Sequence, residues 1–214
     1  MKLNVRDLIV LVVLLLGFGH VLYVYADLPE LIPVHFDIQG NPDLYASLPN
    51  GAFMGLVIAI ALAIIMRLIM AHPSATEIRD YLHNVLVVLV LMITALNVVV
   101  LEFAKGTEIV PARFAWLVTG VLLVVISNPM GKLPINAYAG VRIPSTMDDP
   151  EVWQRTNRFA GWVGVLIGLG MVVAYFAPIE LPVVALLVCV LIFALAVAIY
   201  ARRLSKQLKP GSSS

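Results

Sequence analysis

Charge is scarce in this chain. Only 13% of its 214 residues are Asp, Glu, Lys or Arg, about half the share usual for a soluble domain, and 61% are hydrophobic. The net charge is +1, so no global basic excess points to direct nucleic-acid binding. There is one cysteine, Cys189, which excludes an intrachain disulfide. It lies in an apolar run, where a lone cysteine acts as a small hydrophobe. Also missing are an HExxH pair, a GxSxG elbow, a Walker loop and a Cys–His pairing. The common hydrolase and nucleotidase chemistries therefore have no motif here, and no cofactor is called for. Within the apolar runs no ionisable pair stands at mid-depth, which disfavours a proton-coupled transporter.

What the chain does have is long apolar runs, six of them, at about 8–26, 52–71, 82–101, 114–130, 159–179 and 181–201. Crossing the hydrocarbon core of a bilayer takes about 20 helical residues. A charge at the centre of such a helix costs roughly 2.5–3.5 kcal/mol to insert, so the charges collect between the runs. The expected fold is an all-α polytopic membrane protein with a single six-helix domain over 1–208. Residues 209–214, Lys-Pro-Gly-Ser-Ser-Ser, read as a polar flexible tail of the kind a cloning scar leaves.

Six crossings put the N-terminus, the second and fourth loops and the C-terminus on one side. That side carries twelve Lys and Arg residues, and the other carries only Lys105 and Arg113. The asymmetry predicts cytoplasmic termini in a bacterial cytoplasmic membrane, with the loop 27–51 outside. Lys2, Arg6 and the Val24-Tyr25-Ala26 triplet imitate a cleavable signal peptide. The apolar run between them is long for a signal, and it is read as an uncleaved first helix.

Two loops are too long to be mere connectors. The outer one, 27–51, contains Pro29, Pro33, Pro42 and Pro49, which stiffen it. Val34, Phe36 and Ile38 alternate with His35, Asp37 and Gln39, the period of a short strand with one apolar face. Gly40-Asn41-Pro42-Asp43 then reads as a tight turn. The inner loop, 127–158, starts where Asn128-Pro129 stops the fourth helix. Near its end Asp149 is placed to cap a helix and Pro150 to take its first position. That short helix would carry Val152, Trp153 and Thr156 on one side, lie along the inner membrane surface and run into the fifth span. Trp153 and Trp162 suit an interfacial belt.

With both loops in view, the chain resembles the SdpI family of bacterial membrane immunity proteins. The outer segment LPELIPVHFDIQGNPD matches that family's LP, IP, HF, Gly and Pro-Asp pattern. The inner loop matches its second signature through Asn136, Gly140, Arg142, Pro144, Thr146, Glu151, Trp153 and Thr156. Two residues depart from the pattern. Asn157 stands where the family usually has histidine, which bears on any mechanism needing a protonatable group there. Ser145 stands where tryptophan is frequent. The resemblance implies protection against a secreted, membrane-active peptide toxin. In the best-known member it also implies signalling, in which the occupied protein holds a cytoplasmic transcriptional repressor at the membrane. On that basis Pro33, His35, Phe36, Asp37, Gly40, Pro42 and Asp43 become candidate toxin-binding residues, with the inner motif as a second candidate surface. The partners implied are membrane lipids, the toxin and that repressor.

Read without the family, the same residues leave alternatives open. His35, Asp37 and Asp43 are weak candidates for a divalent cation, against a hydrogen-bonded cap that fixes the loop or a peptide-docking face. Arg142, between Gly140 and Pro144, suits a carboxylate or a lipid phosphate, or an internal pair with Asp148, Asp149 or Glu151. Thr94 and Asn97 are expected to tie helices together, Thr119 is a further polar group within a span, and His20 is expected to meet the outer loop. Gly161, Gly164 and Gly168 predict close helix packing, within the bundle or in a dimer. Two other function classes compete with immunity. A small-molecule or lipid transporter would need helices broken at mid-membrane. A lipid-modifying enzyme or hydrolase built on Arg142, Asp148 and Glu151 would need an inner cavity where those groups converge.

Overall fold

The computed structural model describes residues 4–37, 39–109, 111–176 and 183–208. Helix α1 is Val5–Val24, followed by strands β1, Leu31–Phe36, and β2, Pro42–Ser47. Helices α2, Leu48–Ala71, α3, Arg79–Ala104, and α4, Pro111–Ser127, come next. A single turn α5, Pro144–Met147, precedes α6, Pro150–Phe176, and α7, Val183–Leu208. Among the described residues, five stretches are long and apolar enough to cross a membrane: Val5–Asp27, Leu48–Ala71, Pro73–Ala104, Arg113–Lys132 and Pro150–Phe176. With α7 as a sixth long helix, the chain is an all-α polytopic membrane protein. Ile38, the stretch 177–182, the tail 209–214 and the Cys189 side chain lie outside the described residues.

Local chemistry sets the helix starts. Asn4 and Asp7 form a reciprocal capping box at α1, which satisfies two otherwise orphaned backbone donors. Asp149 Oδ1 accepts from the amides of Glu151 (2.9 Å) and Val152 (3.2 Å), and Pro150 opens α6 as expected. The helix it opens is not a separate surface helix, however. It continues unbroken for 27 residues into the membrane. No Pro or Gly stands between Glu151 and Ala160 to break it. Its buried face, Val152, Trp153, Thr156, Asn157, Ala160 and Gly161, is one stripe running across the expected boundary.

The outer segment also differs from the expected lone strand. β1 and β2 form an antiparallel hairpin, with Leu31 opposite Ser47 and Phe36 opposite Pro42. The alternation read from Val34, Phe36 and Ile38 does not set its buried face. Ile32 and Pro33, adjacent residues, are the buried ones. The ladder shifts register between Pro33 and His35, because proline has no N–H to contribute to the pairing.

Two apolar clusters hold the bundle. At the hairpin end Val21, Val24, Leu28, Ile32, Ala52, Leu56 and Leu101 join α1, β1, α2 and α3. At the opposite end, which carries most of the basic residues, Met70, Ala75, Ile78, Leu82, Leu86 and Leu133 join α2, α3 and the inner loop. The α6 glycines meet α4 of the same chain. A Cβ on Gly168 would stand 2.6 Å from the Gly120 carbonyl oxygen, and one on Gly120 would stand 2.7 Å from that of Gly168. Of the two readings of the glycine stripe, packing within the bundle accounts for these approaches.

Candidate functional site

The hairpin sits on the helix ends as a fastened cap with one exposed face. Its turn is organised by Asp37, whose backbone N–H donates to the Asn41 carbonyl at 2.8 Å. Its carboxylate accepts from the amides of Asn41 (2.8 Å) and Gln39 (2.9 Å). The Asn41 amide, foremost among these donors, holds the Asp37 carboxyl below the usual carboxylate range. Gly40, at φ 88°, supplies the left-handed residue the turn requires. Beyond the turn His35 Nδ1 lies 2.6 Å from Asp43 Oδ1, both side chains being exposed. Phe36 packs edge-on against Phe103 of α3, with ring centroids 5.8 Å apart. Pro33 is buried with Ile32, whose side chain lies against Gly51 at the start of α2. Leu31, Leu44 and Tyr45 face outward.

The three metal candidates do not converge. His35 and Asp43 pair with each other, and Asp37 is committed to the turn. Among the described residues no three His, Cys, Asp or Glu side chains are grouped to hold an ion.

The inner loop is more tightly built than its irregular sequence suggests. Asn136 Oδ1 accepts from the amides of Tyr138 and Ala139, both at 2.8 Å, and its Nδ2 donates to the carbonyls of Pro134 (2.9 Å) and Ala139 (3.0 Å). Thr146 is fully buried; its hydroxyl donates to the Val141 carbonyl at 2.6 Å and accepts from the Ile143 amide at 3.1 Å. Trp153 is not an interfacial residue. It is buried, and its Nε1–H donates to the Leu133 carbonyl at 2.8 Å. Trp162, by contrast, is exposed on α6. Gly140 sits at φ 114°, where a Cβ would fall 2.7 Å from Asn157 Oδ1 and 2.8 Å from Trp153 Cη2. Thr156 is fully buried and its hydroxyl has no hydrogen-bond partner among the described residues.

Arg142 is the exception in this loop. It is exposed and makes no ion pair or hydrogen bond among the described residues, so the internal pairing considered for it is absent. Glu151 pairs instead with Arg155 at 2.5 Å, one helical turn along α6. Pro144, at the first position of α5, is exposed as well. Neither cavity described at this end is lined by Arg142, Asp148 or Glu151, the group an enzyme reading needed.

Three contacts escaped the sequence reading. Asn157 is fully buried; its Oδ1 accepts from the Val141 amide at 2.7 Å and its Nδ2 donates to the Trp153 carbonyl at 3.0 Å. His20 meets not the outer loop but Glu102 in the last turn of α3, at 3.0 Å. At the basic end Asp7 of α1 binds Arg67 of α2 at 2.7 Å, with His83 of α3 at 3.5 Å from the same carboxylate oxygen. Arg67 as an isolated charge inside an apolar run was the one available signal for that cluster. Asn97 does tie helices, accepting from the Gly55 amide at 3.1 Å and donating to the Ala52 carbonyl at 3.3 Å. Thr94 makes no such tie: its buried hydroxyl has no partner among the described residues, and its methyl faces Gly17 of α1.

Comparison with known proteins matches two separate stretches of the chain. Residues 132–201, spanning the inner loop, α6 and most of α7, match the SdpI/YfhL protein family. Residues 12–66, spanning most of α1, the hairpin and most of α2, match a domain of unknown function (DUF1648). Over 193 residues the chain is 27% identical to the "Immunity protein SdpI" of Bacillus subtilis (strain 168), covering 87% of this chain and 89% of that protein. No solved structure matches.

Proposed function

We propose that this chain, which is similar to the SdpI/YfhL protein family over residues 132–201 and to an SdpI immunity protein along most of its length, protects its cell against a secreted, membrane-active peptide toxin, acting by binding and not by catalysis. The observation that carries this reading is the hairpin. It is anchored through Ile32, Pro33 and Phe36, and turns Leu31, Leu44, Tyr45 and the His35–Asp43 pair outward. Such a face offers apolar area and a paired polar group to an amphipathic peptide at the level where that peptide meets the bilayer. With six crossings and both termini cytoplasmic, the hairpin stands on the side from which a secreted toxin arrives.

The test is survival. Bacteria lacking their own immunity protein would produce this chain, or its His35→Ala/Tyr45→Ala variant at equal membrane abundance, and meet the matching toxin. Protection by the wild type that is lost in the variant supports a hairpin-bound toxin. No protection at any dose, with normal membrane insertion, refutes the immunity reading.

A second role concerns the other membrane face. Arg142 has no partner among the described residues and sits on a loop clamped by Asn136, Thr146 and Asn157, which suits it to hold a carboxylate of a cytoplasmic repressor. Toxin-dependent co-sedimentation of such a repressor with membranes would support this role. Co-sedimentation unchanged by Arg142→Ala would remove the arginine from it.

A further inference from the structure

The chain leaves α4 through Asn128 and Pro129 and makes a 3-10 turn, Met130–Lys132, against α6. The approach is close: a Cβ on Gly131 would stand 2.9 Å from the Cα of Arg158. Beside this contact a cavity of about 480 Å³ opens, lined by Asn128, Lys132 and Arg158 and, farther along α6, by Trp162 and Val165. Lys132 and Arg158 are both exposed and have no ion pair or hydrogen bond among the described residues. The contrast with their neighbours is informative. At the same end of the bundle Arg6, Arg67 and Arg155 each hold a carboxylate.

We propose that this cleft binds the headgroup of an anionic phospholipid in the leaflet at the basic end of the bundle. Lys132 and Arg158 would take the phosphate, with the Asn128 amide beside them, and an acyl chain would run down past Trp162 and Val165. The apolar wall argues for a lipid over a free phosphate. Trp162 lies one helical turn beyond Arg158 and is 67% exposed; Leu166 and Val173 continue that exposed apolar face at 65% and 66%. A soluble anion would leave this wall unused, whereas a lipid fills the polar mouth and the apolar side together. Basic pockets between membrane helices on the cytoplasmic side have the chemistry anionic headgroups need. The site lies at the opposite membrane face from the hairpin and is independent of whether a toxin binds there.

The experiment uses the full chain in phosphatidylcholine vesicles. A fixed fraction of lipid would be either phosphatidylglycerol or phosphatidylcholine brominated on its acyl chain, and the signal would be the fluorescence lost in wild type but not in Trp162→Phe. Stronger quenching by the brominated phosphatidylglycerol is expected. Each cation removed, as in Lys132→Ala and Arg158→Ala, should lower that preference roughly five-fold. The charge-conserving Lys132→Arg/Arg158→Lys variant should retain most of it. Equal quenching by the two lipids would overturn the proposal, as would a preference surviving in the double alanine variant with an unchanged melting temperature. Loss of the preference on adding inorganic phosphate, at constant ionic strength, would assign the cleft to a soluble anion instead.

Discussion

The side-chain oxygen of Asn157 accepts the backbone N–H of Val141 at 2.7 Å, hooking the inner loop onto α6 from within a fully buried position. The loop owes its shape at this point to an acceptor and not to a charge. Where the family pattern has histidine, a neutral ring nitrogen is able to play the same part.

Substitution at this position therefore depends on pH in a defined direction. Asn157→Leu leaves the Val141 N–H buried and unpaired and should cost about 1–3 kcal/mol. Asn157→His should be tolerated near pH 8, because a neutral imidazole accepts a hydrogen bond. Imidazolium accepts none, so a protonated ring leaves the Val141 N–H unpaired, and stability should be lower at pH 5.5 than at pH 8. Thermal unfolding in detergent at pH 8 and pH 5.5 checks both variants; a His variant equally stable at the two would show that the ring does not replace the amide.

Gly140→Ala should be damaging for two reasons at once. The residue sits at φ 114°, and the new methyl would collide with Asn157 Oδ1 and Trp153. Left-handed strain alone is worth about 1–3 kcal/mol. The expected signature is protease cleavage within 136–146 at temperatures where the wild-type loop resists.

The Asp7–Arg67–His83 cluster should be strongly non-additive. The Asp7 and His83 side chains are 9% and 3% exposed, so Arg67→Leu leaves a nearly buried carboxylate without its guanidinium partner. Removing one partner of a buried pair costs about 3–5 kcal/mol; Arg67 is 30% exposed, which places this case toward the lower end. Asp7→Asn/Arg67→Leu, which keeps a side-chain acceptor for the Asn4 amide at the α1 cap, should cost less than Arg67→Leu alone. A double-mutant cycle on unfolding in mixed micelles measures the coupling, and simple additivity would contradict it.

The hairpin turn should loosen on acidification. The folded-state pKa of Asp37 is depressed by the amides it accepts, that of Asn41 first. Its contribution is therefore present above the ordinary carboxylate range and is lost as pH falls through the lowered value. Hydrogen exchange at the Asn41 and Gln39 amides, corrected for intrinsic pH dependence, should show protection fading in acid. In Asp37→Ala that protection should already be weak at neutral pH.

Some features were legible along the chain because their causes are local. The dipeptide Asp149-Pro150 marked the start of α6, since a cap and a preset φ act within one turn. The position of Trp153 was not legible: its nearest turn looks interfacial, and only the carbonyl of Leu133, twenty residues away, draws its indole inward. His35 and Asp43 stood close enough in sequence to be grouped, but the separate commitment of Asp37 to its turn was visible only in the folded hairpin.

By itself the sequence determined that this protein lives in a bilayer, about where its helices run, and which two loops are more than connectors. Lipid enforces those features residue by residue, because every unpaired charge or backbone group is costly there. Only the tertiary structure decided which loop residues are anchors and which are free. Asn157, Thr146 and Asn136 are consumed by the fold, while Arg142, Lys132 and Arg158 are left without partners among the described residues. Contacts such as Asp7 with Arg67 join helices distant along the chain, and packing in three dimensions, not local patterning, selects them.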